Sequence, residues 1–374
     1  MRPLPLFGLP RRRLLLGGAT GLASLAGLAG LTSPNEAHAL PAKALVFPRD
    51  RGAHPGFRTE WWYITGYATA GTADGAAGSR LFGFQLTFFR SRVDETQDMS
   101  SKFAARQLIF AHAAITDVQG NKLWHDQRIA REGFGIAAAS EQDMAVKLRD
   151  WSLTAEGTRY SADLPAGDFG LKLQFDETQG VLLQGNKGLS RKGPDEKQAS
   201  YYYSQPQLAT RGSLQVEGKN FAVTGTAWLD HEWSEEILHP DAMGWDWIGM
   251  NLLDGSALTA FRLRARDGST LWDGGSFRSA KGGLYTFSRG EVIFKPVRHW
   301  KSPLTQATYP VEWIVRTPAD FYTVRAVIDN QELDSRQSTG AIYWEGLSEL
   351  IDSNGKRVGM GYLEMTGYAQ RLKI

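Results

Sequence analysis

The chain has 374 residues, 42% hydrophobic and 22% charged, which is enough apolar material for the cores of two ordinary domains. It has no cysteine, so disulfides, thiolate metal sites and a cysteine nucleophile are excluded. Of its formal net charge of +2, residues 1–39 supply +3 (Arg2, Arg11, Arg12 and Arg13 against Glu36), leaving 2 − 3 = −1 and no basis for nucleic-acid binding.

In chain order, the first feature is a leader. Arg11, Arg12 and Arg13 precede an apolar run from Leu14 to Leu31, and Ala37-His38-Ala39 offers small residues at both positions a signal peptidase reads. Paired arginines before a glycine-diluted apolar run predict a twin-arginine export signal over 1–39, cleaved near Ala39. A retained anchor is the alternative, although five glycines among 18 residues weaken membrane insertion. No later run approaches spanning length, so no transmembrane segment is expected after cleavage, and the location expected is periplasmic or secreted.

From Leu45 onward the pattern is β. "TEWWYITGY" (59–67), "RLFGFQLTFFR" (80–90), "LIFAHAAITDV" (108–118), "MAVKLRDWSLTAE" (144–156) and "FGLKLQFDE" (169–177) have strand length and strand residue choice. Glycine-, aspartate- and proline-rich breaks separate them. "DETQDMSSKFAARQL" (94–108) is the best helical candidate. A second strand series runs from "GTAWLDHEWS" (225–234) through "GWDWIGMNLLDG" (244–255) to "GYLEMTGY" (361–368). Many short, regularly punctuated strands predict an all-β protein of two antiparallel barrels, at 45–235 and 236–374.

Strand alternation sorts the chemistry-bearing residues. Trp228, Asp230 and Glu232 share one face, while Leu229, His231 and Trp233 share the other. His231 beside Trp233 suits a pocket edge, because imidazole exchanges protons near neutrality and an indole face stabilises a cation. A buried hydrogen bond and a core indole fit the same pattern. Asp230 and Glu232 suit a general acid–base or ligand-anchoring pair, or ion pairs with Arg58, Arg262 or Arg264. Trp245 and Trp247 share a face; Asp246 points the other way with Ile248 and needs a partner, for which His231 or Arg58 would serve. Glu60 and Trp62 lie on one face of their strand and Trp61 and Tyr63 on the other. Tyr202 opposes Tyr201 and Tyr203. Consecutive strand residues diverge, so no metal site is expected at Asp230-His231-Glu232, and no motif calls for a cofactor.

"FPRDRGAHPGFRTEWWYITGY" (47–67), "ASYYYSQPQL" (199–208), "GTAWLDHEWS", "GWDWIGMNLLDG", "YPVEWIVRTP" (309–318) and "YWEGLSEL" (343–350) with "GYLEMTGY" together resemble the twin-lipocalin proteins. That group holds the AttH-like secreted proteins and the carotenoid 1,2-hydratases. The resemblance implies two packed lipocalin-like barrels. In the hydratase branch a His and a Trp map onto His231 and Trp233, and a downstream Tyr and Asp complete the site. Phe261 and Leu263 stand near those places here, a departure that favours the AttH-like branch, whose members are linked with ABC-type export or lipid handling.

The function expected is therefore binding of a small hydrophobic or amphiphilic molecule, in a barrel cavity near the junction of the "DHEW" and "GWDW" strands, in the service of an ABC-type transporter. The ligand contacts expected are Trp233, Trp245, Trp62, Glu60 and Tyr203. The alternative is hydratase or isomerase chemistry by His231 with Asp230, Glu232 or Asp246, and a second alternative is a non-catalytic scaffold subunit.

Overall fold

The structure, a computed structural model, describes residues 39–71, 79–236 and 238–372. The expected export signal lies outside them. Among the described residues nearly all regular structure is β, and no helix is long and apolar enough to cross a membrane. The helix expected over 94–108 is a single 3-10 turn at Asp94–Thr96. Side chains there satisfy the backbone locally instead. The Thr96 hydroxyl donates to the Val93 and Ala105 carbonyls, and the Gln97 amide to those of Val93 and Arg106.

Two antiparallel sheets carry the fold. The first runs from Thr59–Ala70 to Lys219–Glu236, and these two strands, first and last in sequence, lie side by side. Arg80–Arg92 and then Gln107–Asp117 extend it on one flank; Ala199–Val216 and then Phe169–Asp176 extend it on the other. The sheet curls until its flanks meet. Arg128, on the edge strand Lys122–Arg131, stacks 4.2 Å from the Trp151 ring of the opposite flank and donates to the Pro165 carbonyl at 2.8 Å. The second sheet repeats the plan around Gly244–Leu252, Arg357–Thr366 and Ala341–Ile351.

Alternation fills each barrel with one face of its strands. Trp62, Ile64, Phe84, Leu86 and Phe88 fully bury themselves inside the first, and Ile248, Trp313, Trp344 and Leu363 inside the second. Burying side chains of this size contributes roughly 1.5–3 kcal/mol each.

The outer faces of the same strands form a second buried layer, because the two barrels pack there. Tyr63, Trp228, Trp247, Phe261, Leu347 and Tyr362 make its apolar cluster. Hydrogen bonds flank it, from the Thr116 hydroxyl to the Gln331 side-chain oxygen at 2.8 Å and from the Gln207 backbone N–H to the Asn251 side-chain oxygen at 2.8 Å. Gly83 marks the closest approach: a β-carbon there would lie 2.8 Å from the Tyr362 hydroxyl and 2.9 Å from the Leu347 β-carbon. Gly83→Val should therefore wedge the barrels apart and cost up to about 3 kcal/mol. Urea denaturation should show the lower midpoint, and an unchanged midpoint would mean that the seam is looser than described.

Candidate functional site

A cavity of about 350 Å³ opens in this seam. It lies between the barrels and not within the lumen of either. From the first barrel, strand register sets Tyr63 beside Asp230 and Trp61 beside Glu232 on the outer face. From the second, Trp247 and Glu345 both lie next to Glu364, from its two neighbouring strands. Trp245, Phe261 and Tyr343 complete much of the aromatic wall.

The acidic groups differ in how they are held. Asp230 accepts hydrogen bonds from the Trp228 indole (2.7 Å), the Tyr202 hydroxyl (2.7 Å) and the Ser204 hydroxyl (2.5 Å). Burial nevertheless pushes its pKa up to about 7 against those donors. Glu232 pairs with the Lys192 ammonium at 2.9 Å and accepts from the Ser200 hydroxyl. Burial pushes Glu364 up to about 8, opposed by Trp245 and reinforced by Asp230 and Glu232. Glu345, also fully enclosed, rises well above the ordinary carboxyl range through burial and then the charge of Glu364. One oxygen of Glu345 and the hydroxyl of Tyr63 make no hydrogen bond of normal geometry among the described residues, although the two side chains interact with each other, and both residues line the cavity.

The inward faces of the same strands hold a different cluster. Glu60 accepts from Nε2 of His231 at 2.9 Å and from Nε of Arg90 at 2.7 Å, and lies 2.7 Å from Nδ1 of His54. Nε2 of His54 meets Asp50 at 2.9 Å. Burial works against ionisation of Glu60, yet the hydrogen bonds from His231 and His54 and the charge of Arg90 outweigh it and hold the carboxyl well below its usual range. Burial lowers His231 to about 4, with Glu60 opposing, so the imidazole is neutral near pH 7. Trp233 stacks on His54 at 3.8 Å, Trp62 on His231 at 4.9 Å, and the Tyr203 hydroxyl lies 3.3 Å from Nδ1 of His231. Nitrogen and oxygen atoms of His54, Glu60 and His231 come within 4.8 Å of one another. The guanidinium on Glu60 and the direct bonds among the three make this a self-satisfied polar knot rather than a cation site.

The sequence-predicted residues thus fall into three places. Asp230, Glu232 and Trp245 line the inter-barrel cavity. His231, Trp233, Trp62, Glu60 and Tyr203 sit inside the first barrel, in or against its polar knot. Asp246 points into the second barrel, where Arg262 (2.7 Å), Arg264 (3.0 Å) and the Tyr368 hydroxyl (2.9 Å) hold it. Its partners are therefore not His231 or Arg58, because register sets Asp246 directly opposite Arg262. The partners expected for Asp230 and Glu232 are likewise corrected, from arginines to Lys192 and neutral donors. Lys192, Glu345 and Glu364 were missed. A glutamate set among apolar and aromatic strand residues, Glu345 after "YW" and Glu364 in "GYLEMTGY", is the signal that marks the last two.

Two curled antiparallel barrels, packed by their outer faces around an acidic aromatic cavity, define a double lipocalin-like β-barrel protein. The AttH-like family profile matches residues 38–368, and the chain belongs to that family. A solved protein of Nitrosomonas europaea assigned to AttH is similar, with 46% identity and a TM-score of 0.81 over 88% of this chain and 99% of its own. Kievitone hydratase from Nectria haematococca shares the fold at 16% identity, with a TM-score of 0.65 over 84% of this chain and 90% of its own. None of the curated proteins matches.

The raised carboxyls have a consequence for stability. Folded Asp230 and Glu364 keep protons that the unfolded chain has shed, so their contribution is fully present below the unfolded pKa. It is lost as pH rises through about 7 and about 8. The melting temperature should fall between about pH 6 and about pH 9, and Glu364→Gln should flatten that slope. A melting temperature that rises over this window would show that these groups ionise freely in the folded state.

Proposed function

We propose that this protein binds one apolar or amphiphilic small molecule in the cavity between its barrels. The observation that carries this reading is a cavity of about 350 Å³ walled by Trp61, Trp245, Trp247, Phe89 and Phe261, with Asp230, Glu345 and Glu364 facing it. Its size falls in the range of small-molecule sites, and each CH₂ buried there contributes about 0.8 kcal/mol. The carboxyl groups would fix a polar end. N-phenyl-1-naphthylamine should bind and quench tryptophan fluorescence. Trp247→Ala should weaken it about tenfold, the worth of one aromatic contact. Ala341→Phe, which adds a ring at the cavity wall, should abolish binding with the fold intact. Equal binding by the two variants and the parent would place the ligand elsewhere.

The protonated carboxyl groups favour a second reading, acid–base turnover of the hydratase type. A carboxylic acid would pass its proton to an alkene carbon, water would add to the resulting cation, and the water's proton would return to a carboxylate. Asp230→Asn would then keep ligand but lose conversion, whereas conversion preserved in that variant would remove Asp230 from the chemistry.

We also place the protein outside the cytoplasm, serving an ABC-type envelope transport system; the leader-like stretch from Arg11 to Leu31 supports the export part. Replacing Arg11 and Arg12 with lysine should leave uncleaved protein in the cytoplasm on fractionation. Unchanged export would rule out the twin-arginine route.

A further inference from the structure

The charges around the cavity do not balance. Six carboxyl groups line it, Asp230, Glu232, Glu235, Glu236, Glu345 and Glu364, against the cations Arg58, Arg90 and Lys192. Glu235 pairs with Arg92, Arg58 is exposed, and Lys192 is already paired with Glu232. Arg90 touches its edge, but its guanidinium is bound to Glu60 and to the His54 and Phe57 carbonyls. Asp230, Glu345 and Glu364 have no ion-pair partner among the described residues. Glu345 is 3% exposed, and one of its oxygens makes no hydrogen bond of normal geometry, although the Tyr63 hydroxyl interacts with the carboxyl and works against its raised pKa.

Lys192 shows how this cavity handles an ammonium group. Its Nζ lies 2.9 Å from Glu232, 4.7 Å from the centre of the Tyr202 ring and 4.4 Å from that of Phe261. A carboxylate supplies the charge, and ring faces replace water around the rest of the cation. Around Glu345 and Glu364 that composition recurs, and among the described residues no cation of the protein pairs with either. Glu345 and Glu364 sit side by side on paired strands, and Trp247 adjoins Glu364 on the other side. Tyr343 and Trp245 also line it.

Resting on the reading that the cavity binds a small molecule, we infer that its ligand is a cationic amphiphile, whose ammonium group sits among Glu345, Glu364 and Asp230 and whose apolar body lies along Trp61, Trp245 and Trp247. A bare metal ion fits less well. Among the described residues, the one His/Asp/Glu trio whose atoms converge to within 4.8 Å is His54, Glu60 and His231, inside the first barrel.

A cationic ligand and a neutral one make opposite demands on the protons held here. A neutral alcohol or carbonyl accepts a hydrogen bond from a protonated carboxyl and binds best at low pH. An ammonium group needs the carboxylate, so it must displace a proton and binds more tightly as pH rises. Besides Glu232, Lys192 and Arg90, the other charged groups lining the cavity are Glu236, the exposed Arg58, and Glu235, which pairs with Arg92. Tyr63, Tyr202, Tyr343 and Tyr362 are all pushed further above neutrality by burial and the neighbouring acids, and burial lowers His112 to about 3. The change of charge on binding therefore falls on Asp230, Glu345 and Glu364.

Isothermal titration of the protein with octylamine, 1-octanol and octanoate, at several pH values and in two buffers of different ionisation enthalpy, tests this. Octylamine should bind about tenfold or more tightly than 1-octanol near about pH 8. Its affinity should climb by up to about tenfold per pH unit below that, with a proton released on binding. Glu345→Gln and Glu364→Gln should each weaken octylamine more than 1-octanol and reduce the proton release that accompanies amine binding. Should either variant fail to fold, the pH profile of the parent protein decides alone. Equal or tighter binding of 1-octanol or octanoate, or amine affinity that falls with pH, overturns the inference and leaves the cavity reading standing. If none of the three binds, both fall.

Discussion

A β-strand shows one set of side chains to each face, and in this protein the strands at the seam are covered on both. The inner face fills a barrel, and the outer face meets the other barrel. An ionisable side chain at the covered middle of those strands, such as Glu60, Asp230, His231 or Asp246, is therefore taken out of water, whichever way it points. Each must find a partner, keep its proton, or be completed by something the chain does not itself supply.

Glu60 and Asp230 show the two outcomes on neighbouring strands. Glu60 points inward and meets Arg90, His54 and His231, so it stays ionised despite complete burial. Asp230 points outward and meets hydroxyl and indole donors with no cation, so its pKa climbs to about 7. The first arrangement is closed, with His231 at 0% exposure and stacked against Trp62. The second faces open volume. The proposed ligand therefore belongs to the outer face, while His231 of "DHEW" bonds Glu60 within the closed inner cluster.

Alternation within single strands was legible in the sequence. It separated Asp230 and Glu232 from His231 and Trp233, Tyr202 from its two neighbours, and Trp245 and Trp247 from Asp246. The junction of the "DHEW" and "GWDW" strands also proved to border the cavity. Which strand lies beside which is set by packing over long sequence separations, and there the local pattern was silent. It could not bring Lys192 from the segment before Ala199 to Glu232, nor set Glu364, more than a hundred residues away, near Asp230; Asp246 and Arg262 pair across a local hairpin whose register the pattern also left open. The barrels' packed interiors were equally hidden, since a lumen-facing aromatic reads the same whether it lines a hollow or fills one. The segment after Asp94 misled because its polar side chains bond the backbone as readily as a helix would.

The central claim is that the cavity between the barrels holds a small molecule, and native mass spectrometry tests it most directly. Protein incubated with a total lipid extract from its producing cells should carry one non-covalent adduct per chain, and the Ala341→Phe form should carry none. A parent protein that stays at its bare mass, or an adduct retained equally by both forms, would contradict it.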